Sequence, residues 1–358
     1  MNSSPARMPL IDALKALASQ LIVLHHLAAY GPLAEAVEDI APNVLAWLYD
    51  YGRIAVQVFL VVAGFLAARS LAPEGRAVFR EPLGIIWKRY LRLVAPFVGA
   101  LLLAIACAAV ARAWLDDDAI PEKASLAQFL AHVLLLQGIL DFDALSAGVW
   151  YIAIDFQLFA LFAVILWTAR NLGGRRINLA PGLVAALAAA SLFYFNRDPA
   201  WDNWGLYFFG SYGLGVAAFW ASDRRRRTAW LGALWTVGLA ALMFDFRLRI
   251  AVALAVALGL GISRRSGLFD QWPEFRPVEF LGRISFSVFL VHFPIYLVVN
   301  ALYDNHAGES DASALVFLAA AWATSIAAGY AFYQLVESRP AAYWPSRLLS
   351  RVSPVFGR

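Results

Sequence analysis

The chain has 358 residues, of which 61% are hydrophobic and 15% are charged, and its net charge is +4. Soluble proteins carry about 25% charged residues, so this composition excludes a soluble globular protein and indicates a polytopic membrane protein. The alternating segments of about ten residues that form an outer-membrane barrel do not occur, which predicts an all-α membrane helical bundle. Cys107 is the single cysteine, so no intrachain disulfide can form.

Apolar segments follow one another along the whole chain. We predict them at 10–30, 45–68, 93–113, 125–140, 150–169, 179–195, 204–221, 229–244, 247–262, 283–300 and 313–335. The segment 125–140 is short and contains Gln128, His132 and Gln137, which is typical of a re-entrant or interfacial helix. The prediction is therefore about ten transmembrane helices plus one short re-entrant or interfacial helix. The segments 229–244 and 247–262 are expected to form a tight helical hairpin.

The loops between these segments alternate in charge. Basic loops, which are expected in the cytoplasm, lie at the N-terminus and at 69–92, 170–176, 224–227, 264–276 and the C-terminal tail. Acidic or neutral loops lie at 31–44, 115–122, 196–203, the turn near Asp245 and 304–311. This alternation predicts that both termini are cytoplasmic.

The first apolar segment, 10–30, carries ionisable side chains that are costly inside a membrane and therefore suggest a function. Lys15 and His26 are eleven residues apart, which is about three helical turns, so both project from one face roughly 16 Å apart. Asp12 lies near the same face, whereas His25 points elsewhere. We expect Lys15 near the cytoplasmic surface and His26 in the opposite third of the membrane.

Asp155, in the segment 150–169, is expected at a depth similar to that of His26. A carboxylate beside a histidine raises its basicity and fixes its tautomer, which is the arrangement of a general base with an orienting group. The alternative is a structural ion pair or a polar contact between helices.

Arg89 and Arg92 are three residues apart on one helical face at the predicted inner membrane surface. Arginine is suited to bidentate binding of phosphate, which would be a functional role. Arginines at an inner helix end are also common topology determinants that contact lipid phosphate, and this alternative stays open.

His292 is predicted near the middle of the membrane, after Ser285 and before Pro294. A single membrane histidine often serves only as an interhelical hydrogen-bond donor, and on its own that interpretation is favoured. The histidines show no paired spacing typical of a metal site, and the sequence has no Walker-type phosphate loop.

Several ordered motifs nevertheless resemble those of the membrane acyltransferase-3 family, over about residues 10–341. The opening motif is similar at Asp12, Leu14, Lys15, Ala18 and His26, with Lys15 where the family usually has arginine. A phenylalanine-rich motif matches at Gly64 and Phe65, with Ala63 in place of serine. Later motifs resemble the family at Arg89, Arg92, Pro96, Trp150, Tyr151, Ile152, Asp155, Ser285, Phe286, Ser287, Phe289, Leu290, His292, Pro294, Val336 and Glu337. Asp155 stands where the family has glutamate.

The resemblance implies an integral-membrane acyltransferase with a ten-helix bundle. It implies transfer of an acyl group, most simply acetyl, from acyl-CoA to a hydroxyl of an envelope saccharide or lipid-linked glycan. Acyl-CoA (acetyl-CoA) is then the donor substrate, and no permanently bound cofactor, metal or nucleic acid is expected. Membrane lipid and glycan-assembly proteins are the expected further partners, and the bacterial cytoplasmic (inner) membrane is the expected location.

The resemblance also implies roles for individual residues. His26 would act as general base or acyl carrier, oriented by Asp155, with Ser285 and His292 as candidates for stabilising the oxyanion. Four cationic side chains are expected to hold the phosphates of acyl-CoA, namely Lys15, Arg69, Arg89 and Arg92.

One membrane acyltransferase domain is thus predicted at 1–341, followed by a short basic cytoplasmic tail at 342–358. A proton-coupled small-molecule transporter is the main alternative, although no clear inverted repeat supports it. A structural or regulatory membrane subunit would leave the polar residues of the helices unexplained. An acyltransferase that acts on a small molecule or a lipid would differ only in its acceptor.

Overall fold

A computed structural model of the chain describes residues 8–174, 177–225, 229–308 and 310–339. Within these ranges all regular structure is helical. The α-helices are α1 (Pro9–Ala29), α2 (Pro32–Glu38), α3 (Pro42–Tyr51), α4 (Val56–Leu71), α5 (Pro82–Trp114), α6 (Leu126–Val133), α7 (Trp150–Gly173), α8 (Ala180–Phe193), α9 (Gly205–Ala221), α10 (Ala229–Phe244), α11 (Leu248–Ser266), α12 (Leu268–Gln271), α13 (Arg276–His306) and α14 (Asp311–Phe332). A π-helical turn, Tyr333–Glu337, follows α14.

Some sequence predictions fall outside these ranges. They are the tail at 342–358, the domain end at 341 and the arginines Arg7, Arg175, Arg176, Arg226 and Arg227.

Six helical stretches are long and apolar enough to cross a membrane. They are Pro9–Ala29, Pro42–Leu71, Pro82–Trp114, Trp150–Gly173, Arg276–His306 and Asp311–Glu337. The all-α membrane bundle is thereby confirmed, whereas the count of about ten spans is not.

The difference in the number of spans has a physical origin in helix length and charge. Helices α8 and α10 have only 14 and 16 residues. At 1.5 Å per residue they extend roughly 21 and 24 Å, less than the hydrocarbon core of about 30 Å. Helix α11 is longer, but Arg249, Arg264 and Arg265 lie within it.

The short helix predicted within 125–140 is α6, and it is only eight residues long. Ser125 caps its first turn by accepting from the Gln128 amide, while the Gln128 side chain accepts from the Ser125 amide. Turns follow, with Leu135 at φ 59°. A helix of about 12 Å does not cross a membrane, in agreement with the sequence prediction.

The chain divides into two compact units. The first contains Met1–His25, Ala46–Pro82 and Trp150–Ser285, and the second contains His26–Leu45, Leu83–Val149 and Phe286–Arg358.

In the first unit, α4 and α9 cross at a pair of glycines. A Cβ atom on Gly64 would lie 2.0 Å from the carbonyl oxygen of Tyr212, and one on Gly215 would lie 2.0 Å from that of Val61. The two backbones therefore touch, as at the small-residue interfaces of membrane helices. Gly64 belongs to the phenylalanine-rich motif, and this packing gives that motif a structural role.

The predicted hairpin of α10 and α11 also lies in the first unit. Only three residues, 245–247, separate the two helices. A Cβ atom on Gly238 would lie 2.5 Å from a methyl carbon of Leu254, so the helices pack closely against each other.

In the second unit, three of the five acidic or neutral loops predicted to share one membrane side lie around the last turns of α13. The Asn300 side chain accepts from the Leu33 amide, and Asn305 donates to the Trp114 carbonyl at 2.7 Å. Ile120 packs into an apolar cluster with Leu297 and its neighbours. The grouping of these loops at one end of the unit agrees with the charge pattern of the sequence.

Candidate active site

Two histidines meet in the second unit. Nδ1 of His26, near the end of α1, lies 2.7 Å from Nε2 of His292 in α13. The ring planes are within 9° of parallel, and both side chains are buried, at 8% and 1% exposed. The other ring nitrogen of His292, Nδ1, lies 2.9 Å from the carbonyl oxygen of Val288.

This network fixes the tautomers of a neutral pair. A carbonyl oxygen only accepts hydrogen bonds, so Nδ1 of His292 carries the hydrogen and donates it to Val288. Nε2 of His292 is then an acceptor, and Nδ1 of His26 donates to it. The lone pair of His26 is consequently on Nε2, which is the nitrogen able to take a proton or attack a carbonyl carbon.

A row of polar side chains on α13 sets the position of His26. His292, Tyr296 and Asn300 are four residues apart, so they lie on one helical face. The Tyr296 hydroxyl lies 3.0 Å from the carbonyl oxygen of Leu27 and 2.7 Å from that of Tyr30. These carbonyls belong to the end of α1, where backbone acceptors lack helical partners, so Tyr296 acts as a cap for that helix.

Asn300 continues this row one turn further. Its side chain bonds the Leu33 amide at 3.1 Å and packs under Gly31, whose φ of 78° turns the chain from α1 into α2. A side chain at Gly31 would both clash with Asn300 and disfavour this φ value. Helix α13 thus holds the end of α1 at three successive levels.

Aromatic rings surround the histidine pair. The rings of Tyr30 and Phe293 are each 5.7 Å from that of His26, and Phe289 is 6.3 Å from His292. Gly148, at φ 83°, lies against Phe289, where a Cβ atom would be 3.1 Å from the ring. A largely apolar surrounding strengthens the hydrogen bond between the two imidazoles.

Helix α14 supports the other side of α13. Gly329 lets it approach so closely that a Cβ atom would lie 2.9 Å from the Cα atom of Val288, the residue that anchors His292. At the preceding residue of α13, the Ser287 hydroxyl donates to Glu337 at 2.5 Å. The motif residues Ser287 and Glu337 are therefore brought together, which fixes the end of the last helix.

His25 has different surroundings from its neighbour. In the first unit its Nδ1 lies 3.0 Å from the Leu48 carbonyl oxygen, and a Cβ atom on Gly52 would meet its own Cβ at 2.8 Å. His25 therefore joins α1 to the end of α3, which agrees with the helical phase that separates it from His26.

Asp155 and Ser285 belong to the first unit. Asp155 is buried in α7 at 5% exposed. The Ser285 hydroxyl donates to the Gly282 carbonyl of its own helix at 2.9 Å. The pairing of Asp155 with His26 and the oxyanion role of Ser285 stay predictions.

The four predicted cationic residues are divided between the units. In the first unit, Lys15 forms an ion pair with Asp12 at 3.1 Å, and Arg69 contacts the Met8 sulfur. In the second unit, Arg89 is partly buried and Arg92 is exposed on α5. Their roles toward a donor stay predictions. No group of three His, Cys, Asp or Glu side chains within the described ranges could hold a metal ion.

Sequence reasoning missed Tyr296 and Asn300. A signal for them exists, because tyrosine and asparagine at four-residue spacing after a membrane histidine form a polar stripe on an otherwise apolar helix. Only the structure shows that this stripe faces the end of α1.

Comparison with protein-family models gave one finding with a direct bearing on these residues. Residues 9–334 match a family model described as an acyltransferase domain. Comparison with curated proteins and with solved structures gave no significant match. The matched range includes the histidine pair, Asp155 and the arginines of α5.

Proposed function

We propose that this chain, which belongs to the membrane acyltransferase-3 family, moves an acetyl or other acyl group from acyl-CoA to a hydroxyl of an envelope saccharide or lipid-linked glycan. Family membership supports an acyltransferase in a membrane. The donor, the acceptor and the use of His26 as the reacting base are the proposed parts.

The observation that carries the proposal is the hydrogen bond between His26 and His292, with His292 in turn bonded to Val288. This chain of bonds resembles a general base with an orienting group, because the partner of Nδ1 fixes the tautomer of His26 and so puts its basic lone pair on Nε2. Both nitrogens of His292 are engaged in these bonds. That engagement favours an orienting role for His292 over the expected role as an oxyanion donor.

In the proposed step, Nε2 of His26 takes the proton of the acceptor hydroxyl while the hydroxyl oxygen attacks the thioester carbonyl carbon. A C–O bond forms and the C–S bond breaks. The proton then passes from His26 to the CoA thiolate, so that the products are an O-acyl ester and free CoA. Positioned proton transfer of this kind contributes about 10²- to 10⁴-fold to a rate.

The same geometry serves an acyl-carrier route. Nε2 of His26 would attack the thioester directly, releasing the CoA thiolate and forming an acyl-imidazole. The hydrogen on Nδ1 of His26 would move to Nε2 of His292, which keeps the acylated ring neutral. The acceptor hydroxyl would then displace the acyl group and give its proton to the CoA thiolate, while the proton held by His292 would return to Nδ1 of His26.

The layout of α5 separates a donor end from an acceptor end. From Arg92 to Trp114 the helix rises about 33 Å, which is close to the thickness of a bilayer core. The arginine pair is near one end, and the acidic loops gather at the other. CoA is polyanionic, so its phosphates suit the arginine end, and the acceptor would approach from the acidic end near His26.

The competing function is a proton-coupled transporter, in which the two histidines would relay protons. The discriminating experiment uses the purified protein in lipid nanodiscs with [¹⁴C]acetyl-CoA. The acceptor is the envelope glycan fraction from cells in which its gene is deleted. We expect label in the glycan and release of CoA thiol in equal amounts. A protein that binds this glycan fraction yet releases no thiol and transfers no label would contradict the proposal.

A further inference from the structure

Two buried polar atoms in the segment between α6 and α7 have no bonding partner in the part of the chain that the structure describes. The side chains of Gln137 and Ser146 are 3% and 4% exposed. Oε1 of Gln137 and Oγ of Ser146 have no hydrogen-bond partner among the described residues. Buried polar groups are nearly always hydrogen-bonded, because leaving one unpaired is costly, so each such atom calls for a partner.

The orientation of the Gln137 amide is set by a neighbour. Its Nε2 donates to the Val149 carbonyl oxygen at 3.4 Å. Exchanging the amide oxygen and nitrogen would place two acceptors against each other, so Oε1 is the atom that faces away from Val149. The atom that lacks a partner is therefore an acceptor, and its partner must donate a hydrogen.

Contacts of the same segment place it beside the histidine pair. Gly148 lies against Phe289, whose ring is 6.3 Å from that of His292. Ala147 packs on the cluster that contains Phe293, whose ring is 5.7 Å from that of His26. Ser146 immediately precedes these two residues, and all of them belong to the second unit.

The two atoms together select a chemical class. Gln137 Oε1 needs a donor, while Ser146 Oγ can donate and accept. Neighbouring hydroxyl groups of a sugar offer both in a single molecule. Ala147, the neighbour of Ser146, packs on the cluster that also contains Ile120 of an acidic loop, so the Ser146 end of the segment lies toward the acidic loops.

We infer that Ser146 and Gln137 bind hydroxyl groups of the acceptor saccharide and hold one of them at Nε2 of His26. This inference rests on the proposed function, and it assigns acceptor recognition to residues outside the motifs that carry the family resemblance. Both are binding residues and neither takes part in the proton transfer.

The test measures Ser146→Ala in lipid nanodiscs with [¹⁴C]acetyl-CoA and the envelope glycan fraction from cells in which the gene is deleted. The glycan concentration that gives half the maximal rate is expected to rise about three- to tenfold. This rise corresponds to the loss of one hydrogen bond. The KM for acetyl-CoA should stay unchanged. The Tm should stay equal or rise, because the variant removes a buried hydroxyl that no described residue pairs.

Ser191→Ala is the matched control. Ser191 is equally buried, but its hydroxyl donates to the Tyr207 carbonyl and accepts from the Gly210 amide. This variant should lower the Tm and leave the half-saturating glycan concentration unchanged. Gln137→Leu, which keeps the side-chain volume, provides a second measurement if Ser146→Ala fails to insert, with the same expected shift toward the glycan.

The outcomes separate this inference from the proposed function. Wild-type protein that transfers no label overturns the proposed function. Active wild-type protein with an unchanged glycan half-saturation in both variants overturns the inference alone. A change confined to the KM for acetyl-CoA would mean that these atoms bind the donor. A lower Tm with no change in the half-saturating concentration of either substrate would mean that they bind buried water that stabilises the fold. Either result contradicts acceptor binding.

Discussion

Nδ1 of His26 lies 2.7 Å from Nε2 of His292, although 266 positions separate the two residues in the chain. Because Val288 fixes the outer nitrogen of His292, the bond gives His26 a defined tautomer. A single membrane histidine would support no more than an interhelical contact. Two histidines with assigned donors and acceptors, in a chain of an acyltransferase family, support a reacting base and its orienting partner.

Tyr296→Phe should lower both stability and activity. The change removes the hydroxyl that bonds the carbonyls of Leu27 and Tyr30, and leaving these buried acceptors unpaired costs about 1–3 kcal/mol. The end of α1 would shift, and small displacements of a reacting group can cost about 10²-fold in rate. We expect a lower Tm and at least about a tenfold lower acyl-transfer rate.

Tyr330→Phe is the control for this change, since Tyr330 is 43% exposed. It should leave Tm and rate near those of the wild type. Equal effects of the two substitutions would show that the cap on α1 has no special importance.

Part of this site follows from sequence, and the reason is helical periodicity. The eleven-residue spacing in α1 separated His26 from His25, and the structure gives them different neighbours. The contact between His26 and His292 could not be predicted from the sequence, because the depth of each side chain in the membrane was counted from the end of its apolar segment. Helix α13 runs from Arg276 to His306 and so extends beyond the predicted 283–300 at both ends, which shifts every such count.

His132 should make stability depend on pH. Burial lowers the pKa of His132 from its ordinary value of 6.5, although its hydrogen bond to the Gln128 carbonyl opposes the shift. Its Nε2 accepts from the Leu145 amide, so the folded protein needs the neutral ring. Below about pH 6.5 the unfolded chain binds the proton more readily, so stability falls as pH decreases through this range.

Thermal unfolding of the wild type between about pH 8 and pH 5 measures this effect. We expect Tm to fall toward the acid end, and His132→Gln should show a smaller fall. His306→Gln, at an exposed position, is the control and should follow the wild type. A His132→Gln profile parallel to that of the wild type would exclude His132 as the titrating group.

Gly64→Ala should destabilise the crossing of α4 and α9. The added Cβ would lie 2.0 Å from the Tyr212 carbonyl oxygen, so one helix backbone has to move. Overpacking of this kind costs about 1–3 kcal/mol. Gly259→Ala is the matched control, because no packing neighbour among the described residues lies within 4 Å of the new Cβ and alanine favours a helix. The Tm should drop for the first variant and stay level or rise for the second; a reversed order would contradict the close packing.

This crossing also marks a limit of sequence reasoning. The resemblance singled out Gly64 and Phe65 without a physical role for either. A glycine in an apolar helix is compatible with flexibility, with close packing or with no role, and only the position of Tyr212 decides among these. The count of about ten spans is not confirmed for a related reason, since apolar composition does not reveal where a helix such as α8 ends.

Arg92→Ala should weaken the binding of acetyl-CoA. The side chain is exposed on α5, and in the proposed function it binds a phosphate of the donor. We expect a several-fold higher KM for acetyl-CoA, rising further between about 0.05 and 0.5 M salt as the charges that remain are screened. Lys123→Ala removes the same charge from an exposed position at the acidic-loop end and is the control. A normal, salt-independent KM for Arg92→Ala would exclude this role.

The most direct test of the account is the rate of [¹⁴C]acetyl transfer by His26→Gln in lipid nanodiscs, at saturating acetyl-CoA and envelope glycan. Glutamine keeps a hydrogen-bonding group beside His292 but cannot take the proton or carry the acyl group. If His26 is the reacting residue, the rate should be at least about 10²-fold below that of the wild type, with the KM for acetyl-CoA and the Tm little changed. A rate within about twofold of the wild type, in protein with a normal Tm, would contradict the assignment of His26 as the reacting residue.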